Sequence, residues 1–129
     1  MSTIKSYTDL QQSKVLAKIL PLESADMIYT MVNGYHTPFI RIETIKEMHE
    51  DDVLCWSLVA LLSVLPNNKH ISTNLSRGGW KIEPVEYIDK WWCEYEDEND
   101  HTRDIIITAD NPIDACYEVI LKLNELNLL

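Results

Sequence analysis

Apolar residues recur at helical spacing near the start of the chain, between Leu10 and Leu20. Thr8 precedes them, and Gln11 follows Thr8 by three positions, which is the pattern of a capping box. Pro21 should end the helix, because the residue before a proline is biased away from helical angles. The pattern therefore predicts a first helix between Thr8 and Pro21.

The pattern then changes to one typical of β-strands. Met27 to Val32 is rich in β-forming residues and is followed by Asn33-Gly34, the dipeptide that most strongly signals a two-residue hairpin turn. The return strand is predicted from Tyr35 to Ile42, with Pro38 placing it at an edge or a bulge. An irregular excursion over the core is the alternative for the same stretch.

A nearly continuous apolar run from Val53 to Leu65 follows. It predicts a second helix that is buried on more than one side. Asp51 or Asp52 is the predicted cap, and Pro66 ends the run.

Strand signals dominate the next forty residues and predict a meander of three antiparallel strands. A turn is expected at Ser76–Gly79. The strand segments are Ile71–Leu75, Trp80–Tyr87, Lys90–Tyr95 and Arg103–Thr108.

The last helix has the clearest boundaries. Asp110 or Asn111 can cap it, Pro112 occupies its first turn, and Asp114 places a negative charge at its N-terminus. Strands grouped between helices predict an α+β fold, in which a small antiparallel sheet of about three to five strands packs with three helices. We expect one domain over residues 1–129, because the length is typical of one domain.

The net charge of −10 is unevenly distributed. Residues 1–82 carry eight acidic and eight basic side chains, whereas residues 83–129 carry thirteen acidic side chains and three basic ones. Nucleic acids and anionic membranes are bound through lysine and arginine, so neither is an expected partner of this region. The sequence has no apolar run long enough for a membrane span and no signal-peptide pattern. The expected location is the cytoplasm.

The strongest candidate binding residues lie in and beside the acidic run. Trp91 and Trp92 are adjacent, so in a strand they point to opposite faces, and one of them must meet solvent, a second layer or a partner. Tryptophan at a surface is often an interface anchor. A solvated hairpin end is the alternative explanation of the run. The acidic candidates are Glu94, Glu96, Asp97, Glu98, Asp100 and Asp104.

The sequence indicates no catalytic residue, cofactor site or metal site. Its four histidines show no metal-ligand spacing, and it has no Cys-x-x-Cys pair, phosphate-binding glycine loop or nucleophile elbow. Cys55 and Cys116 are predicted to be reduced core residues. The acidic run also lacks the residue order of a calcium loop.

Four stretches carry a resemblance, and together they span most of the chain. They are Thr8 to Asp26, Cys55-Trp56-Ser57-Leu58 to Leu65-Pro66, Gly78-Gly79-Trp80, and Ala109-Asp110-Asn111-Pro112-Ile113-Asp114-Ala115-Cys116. They resemble small uncharacterised proteins of gut bacteria and their prophages, and the strand-strand-helix ending is similar to the phage α-β-α sandwich domain family. This resemblance implies a phage or mobile-element context and no reaction.

Three functional hypotheses follow from these patterns. The preferred one is a non-catalytic module that binds a protein with a basic surface, such as a host defence nuclease, by imitating a nucleic acid. The second is a self-associating structural or housekeeping protein, with a contact at Val53–Leu65 or Ile120–Leu129. The third is a thiol-dependent enzyme using Cys55 or Cys93.

Overall fold

The computed structural model describes residues 5–42, 48–77 and 90–129, and the fold below refers to these ranges. They contain three α-helices and two three-stranded antiparallel sheets, so the predicted α+β class is confirmed, with one more sheet than expected. The chain divides into an N-terminal unit, residues 6–64, and a C-terminal unit, residues 1–5 with 65–129. One domain over residues 1–129 stays a prediction.

The first helix of the N-terminal unit, α1, is Leu10–Leu16. Its capping box lies one residue later than predicted: the Gln12 backbone N–H donates to the Asp9 carboxylate at 2.8 Å, and the Asp9 N–H donates to the Gln12 side chain at 3.1 Å. Thr8 is buried instead, and its hydroxyl accepts the Trp56 backbone N–H at 3.1 Å. The helix ends well before Pro21.

The predicted hairpin is confirmed. Strand β1, Met27–Val32, pairs antiparallel with β2, Tyr35–Ile40. Asn33 and Gly34 both have positive φ, 51° and 85°, as a type I′ turn requires. Strand β2 lies at an edge of this sheet, which suits Pro38 because proline has no N–H to donate to a second neighbour.

The prediction of one helix from Val53 to Leu65 is wrong. Val53–Cys55 forms strand β3, which pairs with β1, and only Leu58–Val64 is helical, as α2. The helix starts after Ser57, whose hydroxyl accepts the Ala60 N–H at 3.3 Å. The capping prediction for Asp51 and Asp52 is also wrong, since the Asp52 carboxylate accepts the His49 N–H at 2.9 Å.

The C-terminal unit contains the predicted three-stranded meander. Its strands are β4, Ile71–Arg77, β5, Trp91–Asp97, and β6, Ile105–Ala109, in the order β4-β5-β6. The turn predicted at Ser76–Gly79 is wrong for Ser76 and Arg77, which belong to β4, and its last two residues lie outside the described residues. The strand predicted at Trp80–Tyr87 lies outside the described residues.

The last helix, α3, is Pro112–Glu125, and Asn111 caps it by accepting the Asp114 N–H at 2.8 Å. Ile113, Cys116, Ile120 and Leu123 on one face of the helix are fully buried, and the Cys116 thiol is hydrogen-bonded to that of Cys93 of β5. The helix therefore covers the sheet face that carries Cys93. None of the helices in the described ranges is long and apolar enough to cross a membrane.

Candidate functional site

The sheet of the C-terminal unit has a core face and an outer face. Cys93, Tyr95 and Asp97 are buried on the core face, together with half-buried Trp91. Alternation along the strand places Trp92, Glu94 and Glu96 on the opposite side, which we call the outer face. Their cross-strand partners complete this face: Ser72, Asn74, Ser76, Ile106 and Thr108.

The two adjacent tryptophans are thereby separated. Both are half-buried, but Trp91 shares the side of the sheet that α3 covers, whereas Trp92 lies beside Glu94 and is paired with Ser76 and Thr108. Exposed Ile106 is the cross-strand partner of Glu94 and adds a second apolar side chain to the outer face. Of the two predicted anchors, Trp92 is the one next to the acidic side chains.

The aspartates of the acidic run build the turn between β5 and β6. Buried Asp97 accepts the Asn99 N–H at 2.9 Å, and Asp104 accepts the Asp97 N–H at 2.9 Å. Asp100 accepts the Thr102 N–H at 3.1 Å and pairs with Arg103 at 3.2 Å. These three residues therefore stabilise the hairpin end rather than offer free charge.

The glutamates of the acidic run lie on the strand face and at its end rather than in the turn. Glu94 is half-buried and Glu96 is exposed on the outer face, and Glu98 is exposed where the ladder ends, its N–H donating to the His70 carbonyl at 2.8 Å. The eight outer-face residues of the described strands include no lysine or arginine. The available negative charge of the predicted site is thus carried by glutamates.

Hydrogen bonds within the turn shift the pKa values of its charged groups. The Thr102 hydroxyl and N–H lower the pKa of Asp100, and the Asp97 N–H, followed by His101, lowers the pKa of Asp104. The hydrogen bond from His101 Nδ1 to Asp104, 2.9 Å long, raises the pKa of that imidazole. Both shifts favour the charged forms, a carboxylate facing an imidazolium.

His101 was not among the predicted site residues, yet it lies within the acidic site. Glu96, His101 and Asp104 each offer one ligand atom, and these three atoms lie within 4.8 Å of one another. A pocket of about 360 Å³ beside them is also lined by His70 and Glu98. The one available sequence signal was the spacing of His101 and Asp104, three positions apart in a turn.

The cysteines proposed as nucleophiles are all buried. Burial raises the pKa of Cys55, whose thiol donates to the Thr8 carbonyl at 3.3 Å. The thiol–thiol hydrogen bond lowers the pKa of Cys93 and raises that of Cys116. A catalytic thiol must reach its substrate as a thiolate, so zero exposure of Cys55 and Cys93 disfavours this chemistry.

Exposed apolar residues concentrate on the hairpin of the N-terminal unit. Tyr35 is 76% exposed, Ile40 77% and Ile42 88%. Phe39, Ile40 and Ile42 also line a pocket of about 410 Å³ beside β1. The two segments predicted to self-associate each expose only two large apolar side chains in the described residues. These are Val59 and Leu62 on α2, and Leu126 and Leu129 after α3.

Comparison with known proteins adds no relative: no family model matches this chain, and no curated protein or solved structure matches it significantly.

Proposed function

We propose that this protein is a non-catalytic binding module whose outer face docks on a basic protein surface. The observation that carries the proposal is the alignment of Trp92, Glu94 and Glu96 along one side of β5, among uncharged cross-strand partners. The sheet fixes the spacing of these side chains before binding, so little conformational entropy is lost when a partner docks.

The proposed docking combines an apolar aromatic contact with electrostatic attraction. Half-buried Trp92 and exposed Ile106, on the same face of the sheet, offer apolar contact area, and such aromatic anchors dominate many interfaces. The glutamates, in a region with thirteen acidic and three basic side chains, attract a basic partner and speed its encounter.

The partner class follows from this charge. Enzymes that handle nucleic acids have grooves lined by lysine and arginine, and an acidic sheet face can occupy such a groove in place of the phosphate backbone. The resemblance to phage and prophage proteins makes a bacterial defence nuclease the first target to test, with inhibition in the host cytoplasm as the biological effect.

The test is a pull-down from bacterial lysate with the tagged full-length chain, in buffer containing EDTA, followed by competition with duplex DNA. We expect a basic nucleic-acid-binding protein that is captured at low salt, lost at high salt and displaced by the DNA. Glu94→Gln/Glu96→Gln/Glu98→Gln and Trp92→Ala should each abolish its capture.

The matched control is Glu23→Gln/Glu118→Gln/Glu125→Gln, which removes the same charge from exposed positions outside the outer face. This variant should capture the partner as the unmodified chain does. Equal losses in both triple variants would mean that net charge alone attracts the partner, and the proposed docking face would be rejected. Capture that DNA fails to displace would reject nucleic-acid mimicry.

Self-association is the second candidate function, and the exposed hairpin favours it. Edge strand β2 presents Tyr35, Phe39 and Ile40 at least partly to solvent. An edge strand with apolar side chains is a template for pairing with another chain. This contact differs from the segments that the sequence suggested.

A further inference from the structure

The end of the β5–β6 hairpin brings together donors of two kinds. Glu96 and Asp104 supply carboxylate oxygens and His101 an imidazole nitrogen, with one ligand atom of each within 4.8 Å of the others. We infer that these three side chains bind one divalent transition-metal ion, with Zn²⁺ as the ion of first choice. Metal binding needs no partner protein, so this inference stands or falls separately from the proposed docking.

The separations fit a first-row ion after small side-chain movements. Zn–N and Zn–O bonds are about 2.0–2.2 Å, so two donors on one ion are typically about 3–4 Å apart. His101 Nδ1 and Asp104 Oδ2 are already 2.9 Å apart, and the ion would take the place of the proton that now joins them, which is released to solvent. Glu96 is exposed and has three side-chain torsions, so it can close the remaining gap without moving β5.

Backbone contacts hold two of the three donors in place. Asp104 accepts the Asp97 N–H at 2.9 Å, and His101 begins a 3₁₀ turn, His101–Arg103, that is capped by Asp100. Ordered ligands lose less entropy when the ion binds than mobile ones do. The turn that the aspartates build therefore also presents His101.

The adjoining pocket, about 360 Å³, gives the ion room for water ligands. Its walls include His70 and Glu98, whose nearest side-chain atoms are 3.8 Å apart. A second imidazole and a third carboxylate thus face the space beside the three proposed ligands. The pocket leaves the fourth position of a tetrahedral site to a water molecule.

The donor chemistry selects the ion. Ca²⁺ and Mg²⁺ take oxygen ligands, whereas imidazole nitrogen suits Zn²⁺, Ni²⁺ and Cu²⁺. A site that needs His101 should therefore prefer Zn²⁺ to the more abundant hard cations. A surface that only attracts counter-ions would bind all divalent ions alike.

Calorimetric titration of Zn²⁺ into the full-length chain tests the inference. We expect saturation at one equivalent, and affinity at least about tenfold lower in His101→Ala and in Glu96→Gln. His49→Ala removes an exposed histidine of the N-terminal unit and should bind like the unmodified chain. Co²⁺ should give a visible d–d absorption band that disappears in His101→Ala.

Three results would overturn the inference: no saturable Zn²⁺ binding, unchanged affinity in His101→Ala, or displacement of Zn²⁺ by equimolar Ca²⁺. Circular dichroism of each variant separates a lost ligand from a lost fold. Glu96→Gln keeps the size of an exposed side chain, so it tests the site even if His101→Ala disturbs the turn.

Discussion

Asp100, Asp104 and Asp97 show how single side chains set the chemistry of the acidic run. Each accepts a backbone N–H within or beside the β5–β6 turn, so each uses part of its charge to hold the chain. The Thr102 hydroxyl and N–H at Asp100, and the Asp97 N–H at Asp104, stabilise the ionised carboxylates and lower their pKa values. The glutamates nearby lie instead on the strand face or at its end, where Glu98 faces His70 at 3.8 Å.

Replacing Thr102 tests this local electrostatics. The Thr102 hydroxyl is the largest cause of the lowered pKa of Asp100, so Thr102→Val should raise that pKa toward its ordinary value of 3.8. Because the pKa of Asp100 is lower in the folded state, the ionised carboxylate stabilises the folded protein fully above pH 3.8. This stabilisation is lost as the pH falls through the lower pKa of the folded state. NMR titration of the Asp100 carboxyl carbon of metal-free protein measures the shift.

Thr108→Val, on the outer face of β6, is the control and should leave the Asp100 titration unchanged. An unchanged Asp100 pKa in Thr102→Val would contradict the assigned hydrogen bond.

At the scale of elements, the turn between β1 and β2 fixes the register of the N-terminal sheet. Asn33 and Gly34 both adopt left-handed angles, which match the twist of the flanking strands. The resulting register pairs Val32 with Tyr35 and Met27 with Ile40. It also determines which apolar side chains of the hairpin remain exposed.

Gly34→Ala should lower the free energy of unfolding by about 1 kcal/mol, because a Cβ disfavours φ of 85° although no atom stands within 4 Å of it. Asn33→Gly, at φ 51°, should change stability by less than about 0.5 kcal/mol, since asparagine and glycine both tolerate this region. Urea unfolding of both variants measures the difference. Equal stability of the two would mean that the turn has another conformation.

At the scale of the whole molecule, the two units offer surfaces of different chemistry. The C-terminal unit presents glutamates and a tryptophan on a sheet face, whereas the N-terminal unit presents apolar side chains on an edge strand. An apolar patch on a monomer usually marks an interaction site. The proposed basic partner and the proposed second copy would therefore bind to different units of the chain.

Light scattering over a range of concentrations tests self-association through β2. If β2 pairs with its counterpart, the mass should rise from 15.0 kDa toward twice that value, and Ile40→Lys should keep it at the monomer value. Val59→Lys, at an exposed position of α2, should not change the dimer. A dimer lost in Val59→Lys and kept in Ile40→Lys would move the contact to α2, and a monomer at all concentrations would remove self-association.

The local sequence was sufficient to predict a helix start or a turn that depends only on residues close by in the chain. Asn111 and Pro112 mark the start of α3, and Asn33-Gly34 marks the hairpin, because a cap or a turn is decided within about four residues. Strand alternation likewise predicted that Trp91 and Trp92 would face opposite ways. The acidic run was visible in the sequence as well, but not which of its members are engaged.

Only the tertiary structure decided what depends on distant partners. Val53–Cys55 is a strand because β1 supplies its hydrogen bonds, and an apolar run alone does not distinguish a buried strand from a helix. The division between turn-building aspartates and strand-face glutamates, and the approach of His101 to Glu96, arise from the folding of β5 back against β6. Hydrogen bonds and charge contacts between residues far apart in sequence have no periodic pattern, so they emerge only once the chain has folded.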